Sequence, residues 1–255
     1  MKNLEKYWRN KFNRLAKTDL SDWQRSCWWD HNTLRYHQHF VFSALKKFAK
    51  GKTLKIGDIG CGSGMYCMQL VNMGHQVIGI DFAERTLLVA KDRGCKKDVL
   101  LCSGDANELP IKIGSLDAVL SIGLLQTAND PWKQLAQLDF VLKPGGVLLL
   151  STLSRHSKWE LPWWPLYCLL YCDGFFSQIE FKQKLVKNRE IMHPRPIDHI
   201  SNSELMLKRF LSNDLSNKLK EMGYCKIVAR NNSRFSRIPL LYNSFMINIS
   251  AVKGH

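Results

Sequence analysis

Three features of the sequence predict an α/β fold with a doubly wound parallel sheet. From Leu54 onward, short apolar runs alternate with stretches of helical period. A glycine-rich turn follows the first run directly, and a Pro-Gly-Gly turn precedes the fifth. The runs are continuously apolar, as strands covered by helices on both faces must be.

In chain order, residues 1–50, rich in Trp, Tyr, His and Lys, read as helices packed before the sheet. Strands are expected near 54–59, 76–80, 98–102, 117–122 and 147–152. A helix opens at Gly64 and stops before Gly74, and Asp130 with Pro131 forms the N-cap and first turn of another. Trp132, Leu135, Leu138 and Leu142 fall on one face of that helix. LKPGG (142–146) then stops it and turns the chain into VLLLST. After Thr152 the rhythm breaks: WELPWWPLYCLLYCDGFF (159–176) is aromatic, interrupted by Glu160, Pro162 and Pro165, and shorter than the ~20 apolar residues of a bilayer span. A capped helix over 212–224, the strand CKIVAR and a last strand within SFMINISAV resume the pattern. The expected division is a helical lid (1–50), a ligand-binding core (51–154), a cap or insertion for a substrate (155–211), and a helix and strands completing the sheet (212–255).

The chain has 255 residues, 45% hydrophobic and 23% charged, enough to bury a full core and against disorder. The net charge of +15 is unevenly spread. Lys and Arg outnumber acids 11 to 4 over 1–50 and 14 to 5 over 182–255, but stand at 12 to 13 between. Basic flanks suit an anionic substrate, nucleic acid or an anionic membrane surface. Eight scattered cysteines suggest no disulfide framework, and MKNLEKYWRN has no apolar leader, so a cytoplasmic protein is expected.

DIGCGSG (58–64) places glycines at 60, 62 and 64, where any Cβ would block a ligand from the backbone. Dinucleotide sites use GxGxxG with an acid about 20 positions on to accept the ribose hydroxyls. Asp81 closes VIGID at a fitting distance, but Met65 stands where the third glycine would be. No lysine follows the glycines as in a P-loop, which also counts against a phosphate-bearing ligand. Taken singly, the glycines also read as a tight strand-to-helix turn, and Asp81 as a helix N-cap.

DIGCGSG, VIGID, SGDANELP (103–110), SLDAVLSIGLLQ (115–126) and LKPGG occur in that order. Together they resemble the motifs of the class I S-adenosylmethionine-dependent methyltransferases, most closely the ubiquinone/menaquinone methyltransferase (methyltransferase type 11) branch. The likeness runs over about 54–152, with a weaker echo at 212–252. It implies a Rossmann-like, doubly wound, mixed seven-stranded sheet, with N-terminal helices and an insertion forming a cap. It also implies S-adenosyl-L-methionine as cofactor and S-adenosyl-L-homocysteine as product. By position, the loop Gly60, Cys61, Gly62 and Gly64 would pass under the methionine part, with Asp58 near its amino group. Asp81 would hold the ribose, Phe82 would lie against the adenine, and Asp105 and Ala106 would meet its edge. Ser121 and Ile122 would line the methyl end.

Methyl transfer from a sulfonium needs the acceptor oriented and water excluded, and a base only if the acceptor must lose a proton. The base candidates are His31, Tyr36 and His37, with His39 nearby, and Gln126. Their spacing makes no metal site, so no metal is expected. Many relatives carry a histidine just after the fourth motif, where this chain has Gln126 and Thr127. The acceptor is expected between the N-terminal segment and the insertion, among Trp23, Trp28, Trp29, Trp159, Trp163 and Trp164. Arg35, Arg155, Arg189 and Arg195 offer anion contacts there. These residues favour O-, N- or C-methylation of a small, hydrophobic or lipid-like acceptor, with peripheral membrane contact from 155 onward. The alternatives are an RNA (tRNA) methyltransferase, ranked lower for want of a recognisable RNA-binding module, and a non-catalytic cofactor-binding scaffold.

Overall fold

The computed structural model describes residues 2–18, 31–95, 99–153, 210–231 and 246–254. Helices α1 (Lys2–Leu15) and α2 (His31–Ala49) precede the sheet. Next come β1 (Lys55–Ile59), α3 (Met65–Asn72), β2 (Gln76–Asp81), α4 (Glu84–Asp92) and β3 (Val99–Ser103). They are followed by β4 (Leu116–Ile122), a 3-10 turn (Leu125–Thr127), α5 (Pro131–Val141) and β5 (Leu142–Leu153). After these stand α6 (Ser212–Glu221), β6 (Tyr224–Asn231) and β7 (Met246–Lys253).

The seven strands lie in the order β3-β2-β1-β4-β5-β7-β6, with β7 antiparallel to both neighbours. This is the doubly wound mixed sheet that the motifs imply. The chain walks outward from β1 to β3, then returns to β4 on the other side of β1. Connections leave β1 and β4 in opposite directions, so a crevice opens between their carboxyl ends.

Side-chain alternation divides the core between the two faces. Ile56, Ala118, Leu120 and Leu149 pack with Val41 and Leu45 of α2 and Leu70 of α3. Ile59, Val119, Leu148 and Leu150 pack with Leu135 and Leu138 of α5 and Leu215 and Leu219 of α6. Each such buried leucine stabilises the fold by ~1.5–3 kcal/mol.

Local signals hold in part. Asp130 Oδ1 caps α5, accepting from the backbone N–H of Trp132 and Lys133 at 3.0 Å each. Trp132, however, leaves the apolar face: it is 42% exposed and meets Phe210 edge-on, while Leu142 already belongs to β5. The Pro-Gly-Gly turn lies within the ladder. Leu142 pairs with Leu116 and Val147 with Ala118, and Lys143 Nζ ties the bulge to Asp117 Oδ1 at 2.6 Å. The residue before α6 is Leu211, so no side-chain cap forms where a capped helix was expected. The six tryptophans named above, Arg155, Arg189, Arg195 and positions 155–209 of the expected cap lie outside the described residues. Among the described residues no helix is long and apolar enough to cross a membrane.

Candidate functional site

The glycine loop leaves β1 at the crevice. Its backbone is pinned to the end of β2: the N–H groups of Gly60 and Cys61 both donate to Ile80 O, at 2.7 and 3.0 Å. Gly60, Gly62 and Gly64 all have positive φ (81°, 53° and 76°), which side chains other than glycine rarely adopt. Gly60 and Gly62 line the crevice. Gly64 does not. It is the residue before α3, and a Cβ there would lie 2.9 Å from both Ala90 Cβ and Cys95 Sγ, so its bareness serves helix packing, not ligand approach.

Two adjoining cavities fill the crevice, sharing Gly60, Asp81, Phe82, Leu124 and Thr127. Both are open to solvent. The first is also lined by Asp58, Cys61, Ser63, Met65, Tyr66 and Ile122, the second by Asp105, Ala106 and Asn107. Among the described residues, no lysine, arginine or histidine lines either.

Two buried carboxylates face this space. Asp81 Oδ1 accepts from Ala83 N at 2.8 Å and Oδ2 from Gly62 N at 2.9 Å, so it fastens both the glycine loop and the start of α4. Burial still holds its carboxyl above the ordinary range, against the pull of those donors. Asp58 is more poorly supplied. Among the described residues the hydrogen bond it accepts comes from Cys67 Sγ, at 3.2 Å on Oδ2. Burial, opposed by that thiol and reinforced by Asp81, pushes its carboxyl up to about 7. A paired site of this kind, with no cation among the described residues of its walls, fits a ligand bearing positive charge and a diol. S-adenosylmethionine, with its ammonium, sulfonium and ribose, is such a ligand.

The outer wall comes from α1. Phe12 and Ala16 line the first cavity and Trp8 the second. Phe12 meets the Phe82 ring edge-on at 6.3 Å, Trp8 stacks on Phe12 at 5.9 Å, and the Arg9 guanidinium sits 5.7 Å from the Phe82 centroid. Asn13 Oδ1 accepts from Arg85 N at 3.0 Å, fixing α1 to the start of α4. The motifs did not indicate Phe12 or Trp8. The helical repeat of Trp8, Phe12 and Leu15 was the available signal for α1.

Of the remaining expected residues, Asp105 borders the second cavity. Ser121 is fully buried and lines neither cavity, because alternation along β4 sends it away from the face that Ile122 presents. Asp105 is exposed, and its Oδ1 is engaged by Asn107, accepting from the backbone N–H at 2.8 Å and from Nδ2 at 2.9 Å. His37 is fully buried between α2 and the sheet, with Nδ1 2.5 Å from Asn248 Oδ1 and 3.2 Å from Ser151 Oγ. Gln126 Oε1 accepts from Leu153 N at 3.1 Å and Thr152 Oγ1 at 3.3 Å. Tyr36 lies edge-on to His37, outside both cavities, its phenol held above the ordinary value by burial. His37 and Gln126 are thus engaged with β5 and β7 and line neither cavity. His31 opens α2, but its side chain is outside the described set.

Residues 57–150 match the family model described as a methyltransferase domain. The chain is 32% identical over 168 residues to a demethylmenaquinone methyltransferase of Staphylococcus aureus, covering 63% of this chain and 67% of that protein. It is 28% identical over 168 residues to a ubiquinone biosynthesis O-methyltransferase of Chromobacterium violaceum, covering 62% and 67%. Among solved structures, Haemonchus contortus phosphoethanolamine N-methyltransferase 2 with S-adenosylhomocysteine bound superposes with a TM-score of 0.57 at 20% identity. That match covers 85% of this chain and spans about half, 53%, of the nematode chain; it speaks for the fold. Domain match, curated relatives and sheet order agree with the carboxylate-lined crevice, and the chain belongs to the class I S-adenosylmethionine-dependent methyltransferases, in the branch of the ubiquinone and menaquinone enzymes.

Proposed function

We propose that this chain methylates a small, lipid-like acceptor related to quinone precursors. The observation that carries this reading is the identity shared with relatives named for ubiquinone and demethylmenaquinone methylation. The apolar side of the first cavity supports it: Phe12, Ala16, Met65, Ile122 and Leu124 offer a flat hydrocarbon molecule more than they offer a polar one.

In this reading S-adenosylmethionine supplies an already activated methyl group, and the protein binds, orients and keeps water out. Asp81 takes the ribose diol with the lone pairs its two backbone donors leave free. Asp58 faces the ammonium. Gly60 and Gly62 let the methionine part lie against the backbone, with Cys61 and Ser63 beside it. Phe82, backed by Phe12 and Arg9, lies against the adenine, and Asp105 and Ala106 meet its edge.

The test is turnover with isotope-labelled S-adenosylmethionine on three acceptors: a prenylated catechol, a prenylated hydroquinone and bulk tRNA, read by mass spectrometry. Label on a prenylated ring is expected. Label confined to tRNA would overturn the lipid-like acceptor while leaving the family assignment intact.

A further inference from the structure

The glycine loop sits on a set of thiols for which methyl transfer by itself gives no reason. Cys61, Cys67 and Cys95 are all buried and free. Gly79 of β2 makes the room: a Cβ there would lie 3.0 Å from both Cys61 Sγ and Cys67 Sγ. Cys67 Sγ donates to Asp58 Oδ2 at 3.2 Å, while Cys61 Sγ faces the Gly62 carbonyl at 3.9 Å. The first turn of α3 thus supplies a thiol donor to the carboxylate at the end of β1.

Resting on the assignment of Asp58 to the cofactor's ammonium, we propose that Cys67 is a positioning residue of the cofactor site. Its thiol supplies the hydrogen bond that the Asp58 carboxylate has before the ligand arrives, and holds the other oxygen toward the cleft. A donor suits this place because a carboxylate buried without one would keep its proton and offer an ammonium nothing.

The surroundings of Asp58 agree. Among the described residues, the titratable groups interacting with it are Cys67 from α3, Asp81 from β2, Cys61 from the loop and Cys95 after α4, none of them a cation. The neighbouring Cys61 thiol, burial and the nearby carboxylates hold the Cys67 thiol well above its ordinary value, so its proton stays on sulfur, where it faces Asp58. Cys61 likewise stays protonated: the contact from Cys67 lowers it, but burial and the carboxylates carry it up to about 11.

The linkage has a definite sign. The Asp58 carboxyl lies near 7 in the folded protein, so cofactor affinity should rise with pH up to that point and flatten above it. Removing a donor to the charged form moves the midpoint upward.

The direct experiment follows the Asp58 carboxyl by carbon-13 NMR in the apo protein, with Asp58→Asn identifying the signal, for wild type, Cys67→Ala and Cys67→Ser. The midpoint should rise by about one pH unit in Cys67→Ala and return in Cys67→Ser, which keeps a donor. Calorimetry with S-adenosylhomocysteine should then show Cys67→Ala about ten-fold weaker than wild type at pH 6, with the two converging by pH 9. An unmoved midpoint, or a loss of affinity equal at both pH values, would overturn the role of Cys67. A midpoint that moves while wild-type affinity stays flat across pH would instead overturn the ammonium assignment beneath it.

Discussion

Asp58 and Asp81, at the carboxyl ends of β1 and β2, are as hidden from solvent as His37 and Gln126, which sit where α2 and the 3-10 turn meet β5 and β7. The first pair borders open space and retains acceptor capacity. In the second pair, the His37 Nδ1 contacts run to Asn248 and Ser151, and Gln126 Oε1 is taken up by β5. Burial of a polar group therefore does not mark a binding site in this fold. What separates ligand-facing groups from structural ones is the capacity left over and the direction in which it points.

The largest effect is expected from Asp81→Ala. It should weaken S-adenosylhomocysteine binding by ~2–5 kcal/mol, about 30-fold at the least, because a buried charged acceptor is lost together with the anchor of the Gly62 N–H. Calorimetry reads the effect, and unchanged affinity would move Asp81 into the structural group. The converse is His37→Ala, which should cost ~1–3 kcal/mol of stability in a denaturant titration, since Asn248 and Ser151 lose a buried partner. Cofactor affinity in that variant should stay at the wild-type level. The smallest effect belongs to Phe12→Ala: removing the edge contact with Phe82 should weaken cofactor binding by ~1 kcal/mol, a few-fold, with little change in thermal stability.

The glycine loop illustrates how far local sequence reaches. Three glycines at alternate positions announce a bare backbone, and all three do take positive φ. Their spacing is silent on which of them meets a ligand. Gly60 and Gly62 do line the cavity, whereas Gly64 is needed because Ala90 and Cys95, some thirty residues away in the chain, arrive beneath it. The same limit explains Ser121, adjacent to Ile122 but on the opposite face of β4, and Trp132, whose place in a helical repeat left open its meeting with Phe210.

The chain by itself determined the strands near the crevice, the turn after β1, the acid closing β2, the cap of α5 and the family. Each of these rests on residues within a few positions of one another, or on motifs whose order along the chain is itself the signal. Only the tertiary structure decided that α1 walls the cleft, that His37 and Gln126 serve β5 and β7, and that a thiol of α3 supports Asp58. Those contacts join segments far apart in sequence, and their partners are set by which faces the sheet brings together.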